Sequence, residues 1–180
     1  MELLDLGTAS GLGIMPGANA ILADTVQKVS WSTIVCVGLA IGTASAKARG
    51  PVMGLAGLLA APVGFVIARS LQRGILQALG AGVSAAGQPS AFLLAILKGI
   101  QYGCLGTAVG WAGQRLQGRA SAYVGAGMLT GIVFGGLTLF LMSPLPAAVL
   151  ISRGVNEMLF PVGCSLVLFA AEALGKRTGH

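Results

Sequence analysis

Apolar residues fill this chain in long blocks, with neither the alternation of a half-buried strand nor the narrow stripe of a soluble helix. Five blocks approach the 17–25 residues or so that a helix needs to cross a bilayer. They are residues 31–46, 51–68, 91–113, 120–142 and 157–174. Pro62 lies inside the second block, and Lys98 and Gln101 interrupt the third. Three shorter apolar segments, 7–23, 74–86 and 144–152, carry Pro or Gly, and each leads into a cysteine-bearing block. Such segments read as interfacial or re-entrant, because irregular backbone at membrane depth is tolerated only inside protein or along a cavity. Residues 7–23 are the ambiguous case, since 17 residues could just cross. The pattern predicts an all-α fold in a single domain: a polytopic integral membrane helix bundle of five or six transmembrane helices.

The blocks share a frame. Cys36 stands 11 residues before Lys47, Cys104 stands 11 before Arg115, and Cys164 stands 12 before Lys176. At about 1.5 Å of rise per residue, each sulfur lies roughly 16–18 Å from a basic helix end, near the middle of a hydrocarbon layer about 30 Å thick. A shift of 128 residues puts Pro16 on Pro144, Cys36 on Cys164 and Arg49 on Arg177. A shift of 68 puts the Cys-Val-Gly-Leu-Ala-Ile-Gly run of 36–42 on the Cys-Leu-Gly-Thr-Ala-Val-Gly run of 104–110. This reads as an internal repeat: a Pro/Gly segment, a cysteine helix, a basic turn and a glycine-rich helix, with the third copy lacking its last helix. Gly38/Gly42, Gly106/Gly110 and Gly127/Gly131/Gly135 are each spaced by four, the ridge that lets helices pack backbone to backbone. Leu166 and Ala170 replace these glycines in the third copy, where a looser contact is expected.

Composition agrees with this placement and removes other classes. Only 9% of residues are charged, against about 25% in soluble domains, and mean hydropathy is +0.87. The isoelectric point of about 9.8 would suit nucleic acid, but the eleven cations are scattered, all but Lys98 near block ends, without a basic run or aromatic interleaving, so no nucleic-acid partner is expected. Lys47, Arg49, Arg115, Arg119, Lys176 and Arg177 mark one side, and Lys28, Arg69, Arg73 and Arg153 the other. Lysine and arginine bias sets sidedness. The first group is therefore expected inside, with a cytoplasmic C-terminus in a bacterial inner membrane. Glu2 and Asp5 precede the first apolar segment where a signal peptide would be basic, so the chain is expected to be mature protein.

Candidate chemistry is sparse. Three thiolates from Cys36, Cys104 and Cys164 could hold a soft ion such as Cu(I) if their helices converged. No second ligand type accompanies them, and the single histidine is His180. They read first as small buried hydrophobes, with no disulfide, metal or cofactor expected. Intramembrane charge is expensive and usually functional, which singles out Lys98 with Gln101, and Arg153 with Asn156 and Glu157. Asp24 and Lys28 stand at the matching place in the first unit. Arg153/Glu157 and Asp24/Lys28 are each four apart, so both pairs are expected to neutralise along one helix face. Snorkelling to the interface is the plainer explanation for Lys98. No nucleophile–base set or zinc or phosphate motif is present, so no enzyme is expected. The residues favour a transport or channel protein for a small polar solute, with the mixed charge suiting a zwitterion or anion. The alternative is a non-catalytic subunit of a larger membrane complex. Lipid bilayer, solute, and further copies or complex partners are the associations to expect.

Overall fold

The computed structural model describes residues 18–43, 48–80, 90–116, 119–143 and 147–178, and these are helical without strands. Five helices follow one another: α1 (Ala18–Gly42), α2 (Arg49–Ala78), α3 (Ala91–Arg115), α4 (Ala120–Leu141) and α5 (Ala147–Thr178). All five are long and apolar enough to cross a membrane, and they fit a membrane-embedded protein.

Local chemistry explains the helix ends. Ser90 caps α3, its hydroxyl accepting the Leu93 N–H at 3.1 Å and relieving one of the unpaired first-turn donors. Pro51 sits in the first turn of α2, where its missing N–H costs nothing. That helix closes through Gly80, whose φ of 67° suits glycine and whose N–H reaches the Gln77 carbonyl.

Several boundaries differ from the sequence expectation. Residues 18–23 belong to α1, so the first helix begins well before Trp31. The polar stretch around Asp24 and Lys28 does not break it, because that pair forms an i,i+4 salt bridge and the Thr25 hydroxyl bonds to the Ile21 carbonyl at 2.8 Å. Residues 74–78 continue α2, and residues 147–152 begin α5 rather than forming a separate segment. The remaining parts of the three short segments lie outside the described residues. So do Glu2, Asp5, Lys47, Gly179 and His180, and the side chains of Lys176 and Arg177.

The surface is apolar as well as the core, which holds Trp31, Leu39, Met53, Leu105 and Tyr123. Large apolar side chains face outward, with Phe92 76% and Phe140 77% exposed, while Gln101, Thr130, Thr138 and Ser165 are buried. Glycine sets the helix spacing. A Cβ on Gly57 would lie 2.2 Å from the Tyr102 carbonyl oxygen, and one on Gly106 would lie 2.3 Å from that of Met53. A Cβ on Gly38 would lie 2.4 Å from the Ala60 side chain, and one on Gly110 would lie 2.7 Å from Gly50. Thus α2 is held between α1 and α3, and these three form one tight layer. Gly127 and Gly131 play the same part for α4 against Val162 and Met158 of α5, giving a second tight unit. Leu166 and Ala170 face outward, and α5 instead buries Pro161, Cys164, Ser165 and Leu168.

The cysteine frame is not matched by like surroundings. Cys36 and Cys164 meet across the molecule at 3.1 Å, whereas Cys104 is exposed in an outer groove between α2 and α3. The three thiols therefore do not converge into one ligand set.

Candidate functional site

The layer α1–α3 and the pair α4–α5 meet along a seam, and the Lys98–Glu157 and Arg49–Glu172 salt bridges cross it. On α5 the residues Glu157, Pro161, Cys164, Leu168 and Glu172 recur at three- and four-residue intervals, which puts them on one helix face. That face meets α3 at one end, α1 midway and α2 at the other.

At the first end, Lys98 of α3 forms a salt bridge with Glu157 of α5 and donates to Gln101 Oε1 at 3.0 Å. Both charged side chains are mostly buried, at 12% and 20% exposure. Lys98 lies about 10 Å from the start of its helix, and its ammonium is engaged by Glu157 and Gln101 within the protein. The ammonium can only donate, so it fixes the Gln101 amide with its oxygen toward Lys98. Gln101 is fully buried, and its Nε2 has no hydrogen-bond partner among the described residues. The same is true of the buried Asn156 Oδ1, beside Glu157 in the chain. Pro161 has no N–H to give the Glu157 carbonyl one turn earlier, which weakens α5 at this level.

Midway, Cys36 and Cys164 face a cavity of about 400 Å³ between α1 and α5, with Tyr102 and Phe160 among its walls. Trp31 stands edge-on to Tyr102 at 5.5 Å and to Phe65 at 6.1 Å.

The far end carries a cluster that the sequence did not single out. Arg49, the first residue of α2, bonds Glu172 at 2.6 Å, and the Tyr123 hydroxyl of α4 donates to the same carboxylate oxygen. A Cβ on Gly113 of α3 would lie 2.7 Å from that hydroxyl, so glycine leaves the room in which the cluster closes. Arg49 read as part of a basic turn. The available signal was Glu172, an acid inside the last apolar block.

Of the expected pairs, Asp24 and Lys28 join within α1. Arg153 and Glu157 do not: Glu157 is taken by Lys98, and Arg153 reaches the Met142 sulfur at 3.2 Å. A four-residue spacing makes contact possible, but a cation on the facing helix satisfies a buried carboxylate at closer range. Arg153 lies within electrostatic reach of Arg69, as does Arg73, so this end of the molecule is cationic. No family model, curated protein or solved structure matches this chain.

Proposed function

We propose that this chain is a membrane transport or channel protein, and that a small polar solute passes along the seam between α1–α3 and α4–α5. The observation that carries this reading is the Lys98–Glu157 pair with buried Gln101. It joins the two units inside their apolar spans, where unpaired charge is expensive and polar groups usually serve a solute path. Two further features support it. The Arg49–Glu172–Tyr123 cluster ties the opposite end of the seam, and a cavity lies between the two ties. Glycine and proline within spans, beside a polar site, are recurring ingredients of membrane solute sites. Energy would come from an ion gradient or a partner. The basic turns would face the cytoplasm of a bacterial cell, with the cationic Arg69/Arg73/Arg153 end outside. A subunit clamped in a larger complex would be expected to turn its glycine ridges outward. Here the Gly38, Gly106 and Gly127 ridges are occupied by the chain's own helices, which favours the transport reading.

Reconstitution into liposomes tests it. Initial uptake of radiolabelled zwitterions, anions and cations is compared for wild type, Lys98→Met and Glu157→Gln. Each variant should elute as a folded species yet lose about tenfold or more of the accumulated solute, equivalent to ~1.4 kcal/mol. Wild-type rates in both variants would reduce the pair to a structural tie.

A further inference from the structure

Lys98 and Tyr102 lie one turn apart on α3, so the charged pair stands one turn from Tyr102, the residue of α3 that lines the cavity, while Lys98, Gln101 and Glu157 are not themselves among its walls. Tyr102 is 2% exposed and lies within electrostatic reach of Glu157, Cys36 and Cys164. It is the wall shared by the two regions. Below it, the cavity offers apolar and soft surface: Phe160, Gly163 and the two thiols. The Ser32 and Thr33 hydroxyls at its edge donate to the Val29 carbonyl at 3.0 and 2.8 Å, so their hydrogens are turned away from a ligand. At about 400 Å³, the space is near the lower end of the roughly 300–1,000 Å³ of small-molecule sites.

Charge balance narrows what can enter. A cation that takes Glu157 leaves Lys98 buried without its partner, and an anion that takes Lys98 strands Glu157. Stranding one member of a buried pair is strongly unfavourable. A molecule carrying both charges close together replaces each partner for the other and strands neither. Its carboxylate also gives Gln101 Nε2, fully buried and unpartnered among the described residues, an acceptor.

We propose that this site binds a small zwitterion bearing an apolar substituent, such as a neutral apolar α-amino acid. The ammonium rests on Glu157, the carboxylate on Lys98 and Gln101, and the substituent in the cavity beside Tyr102 and Cys164. This assignment rests on the transport reading and names its substrate class.

Trp31, edge-on to Tyr102, is a built-in reporter. The chain has two tryptophans, and the other, Trp111, lines the separate outer groove. In a Trp111→Phe background, fluorescence therefore reads the cavity wall alone. The full-length protein in lipid nanodiscs is titrated with phenylalanine and leucine, then with phenethylamine, 3-phenylpropionate and glycine. The two amino acids should give a saturable change. The cation-only, anion-only and side-chain-free compounds should bind at least about tenfold more weakly. Glu157→Gln should abolish the response. Gly163→Leu should do so too, because a Cβ there has open space around it and the longer chain fills the cavity without disturbing the helix. Equal binding of phenethylamine or phenylpropionate overturns the proposal, as does a response to none of the five compounds, the result expected of a space that holds only lipid chains. Uptake by the same protein in liposomes separates the two readings. Accumulation of a different solute class overturns this assignment and leaves transport standing. Saturable binding without accumulation of any solute upholds the site and removes the transport reading.

Discussion

Lys98 and Glu157 stabilise the seam as a pair, and each is costly without the other. Lys98→Met or Glu157→Gln alone should cost roughly 3–5 kcal/mol, because one buried charge remains without its partner. The double change to Met at both positions should regain most of this loss. Thermal unfolding in detergent, followed by the elution of folded protein, reads the difference. Arg153→Gln should lower stability little, since Arg153 contacts the Met142 sulfur rather than Glu157. Comparable losses for Arg153→Gln and Lys98→Met would contradict the assigned pairing. The sequence made Lys98, Gln101, Asn156 and Glu157 legible as candidates, because charge and amide groups inside apolar blocks are rare. Which charge meets which was not legible. Spacing along one helix pointed Glu157 to Arg153, and only the packing of α3 on α5 brings Lys98 to it across 59 positions.

At the scale of the helix, glycine sorts into contact and lipid positions. Gly57→Ala and Gly106→Ala place a methyl group against backbone carbonyls that cannot move aside, and should cost about 1–3 kcal/mol or more. Gly125→Ala and Gly136→Ala meet nothing within 4 Å and should be neutral or slightly stabilising in a helix. Melting temperatures of the four variants check this, and uniform tolerance would mean the ridges face lipid. The four-residue glycine spacing made the ridges themselves legible. The start of α1 was hidden because the polar stretch between residues 23 and 31 separated two apolar segments, whereas the Asp24/Lys28 pairing that the four-residue spacing predicts lies within one unbroken helix. The four-residue glycine spacing foresaw close packing at Gly38 and Gly106. It did not foresee that both would pack on α2, nor that Cys104 would face outward while Cys36 meets Cys164.

The whole molecule is two tight helix groups joined by ties at both ends of a seam. The far tie was the least legible part, because Arg49, Tyr123 and Glu172 come from three helices and share no local pattern. Gly113→Leu should force Tyr123 and Glu172 apart and raise leak or lower coupling, with uptake and leak measured in the same vesicles. The central claim is that the seam must open for a solute to pass. Cys36 and Cys164, 3.1 Å apart on opposite sides of it, allow a direct test. Two equivalents of Cu(II) phenanthroline take one electron each from the thiols, the two thiol protons pass to solvent, and the sulfurs join, tying α1 to α5. In a Cys104→Ser background, uptake by liposomes should stop on oxidation, return on reduction, and be insensitive to oxidant when Cys36 is also Ser. Uptake that continues unchanged in fully cross-linked protein would contradict the account.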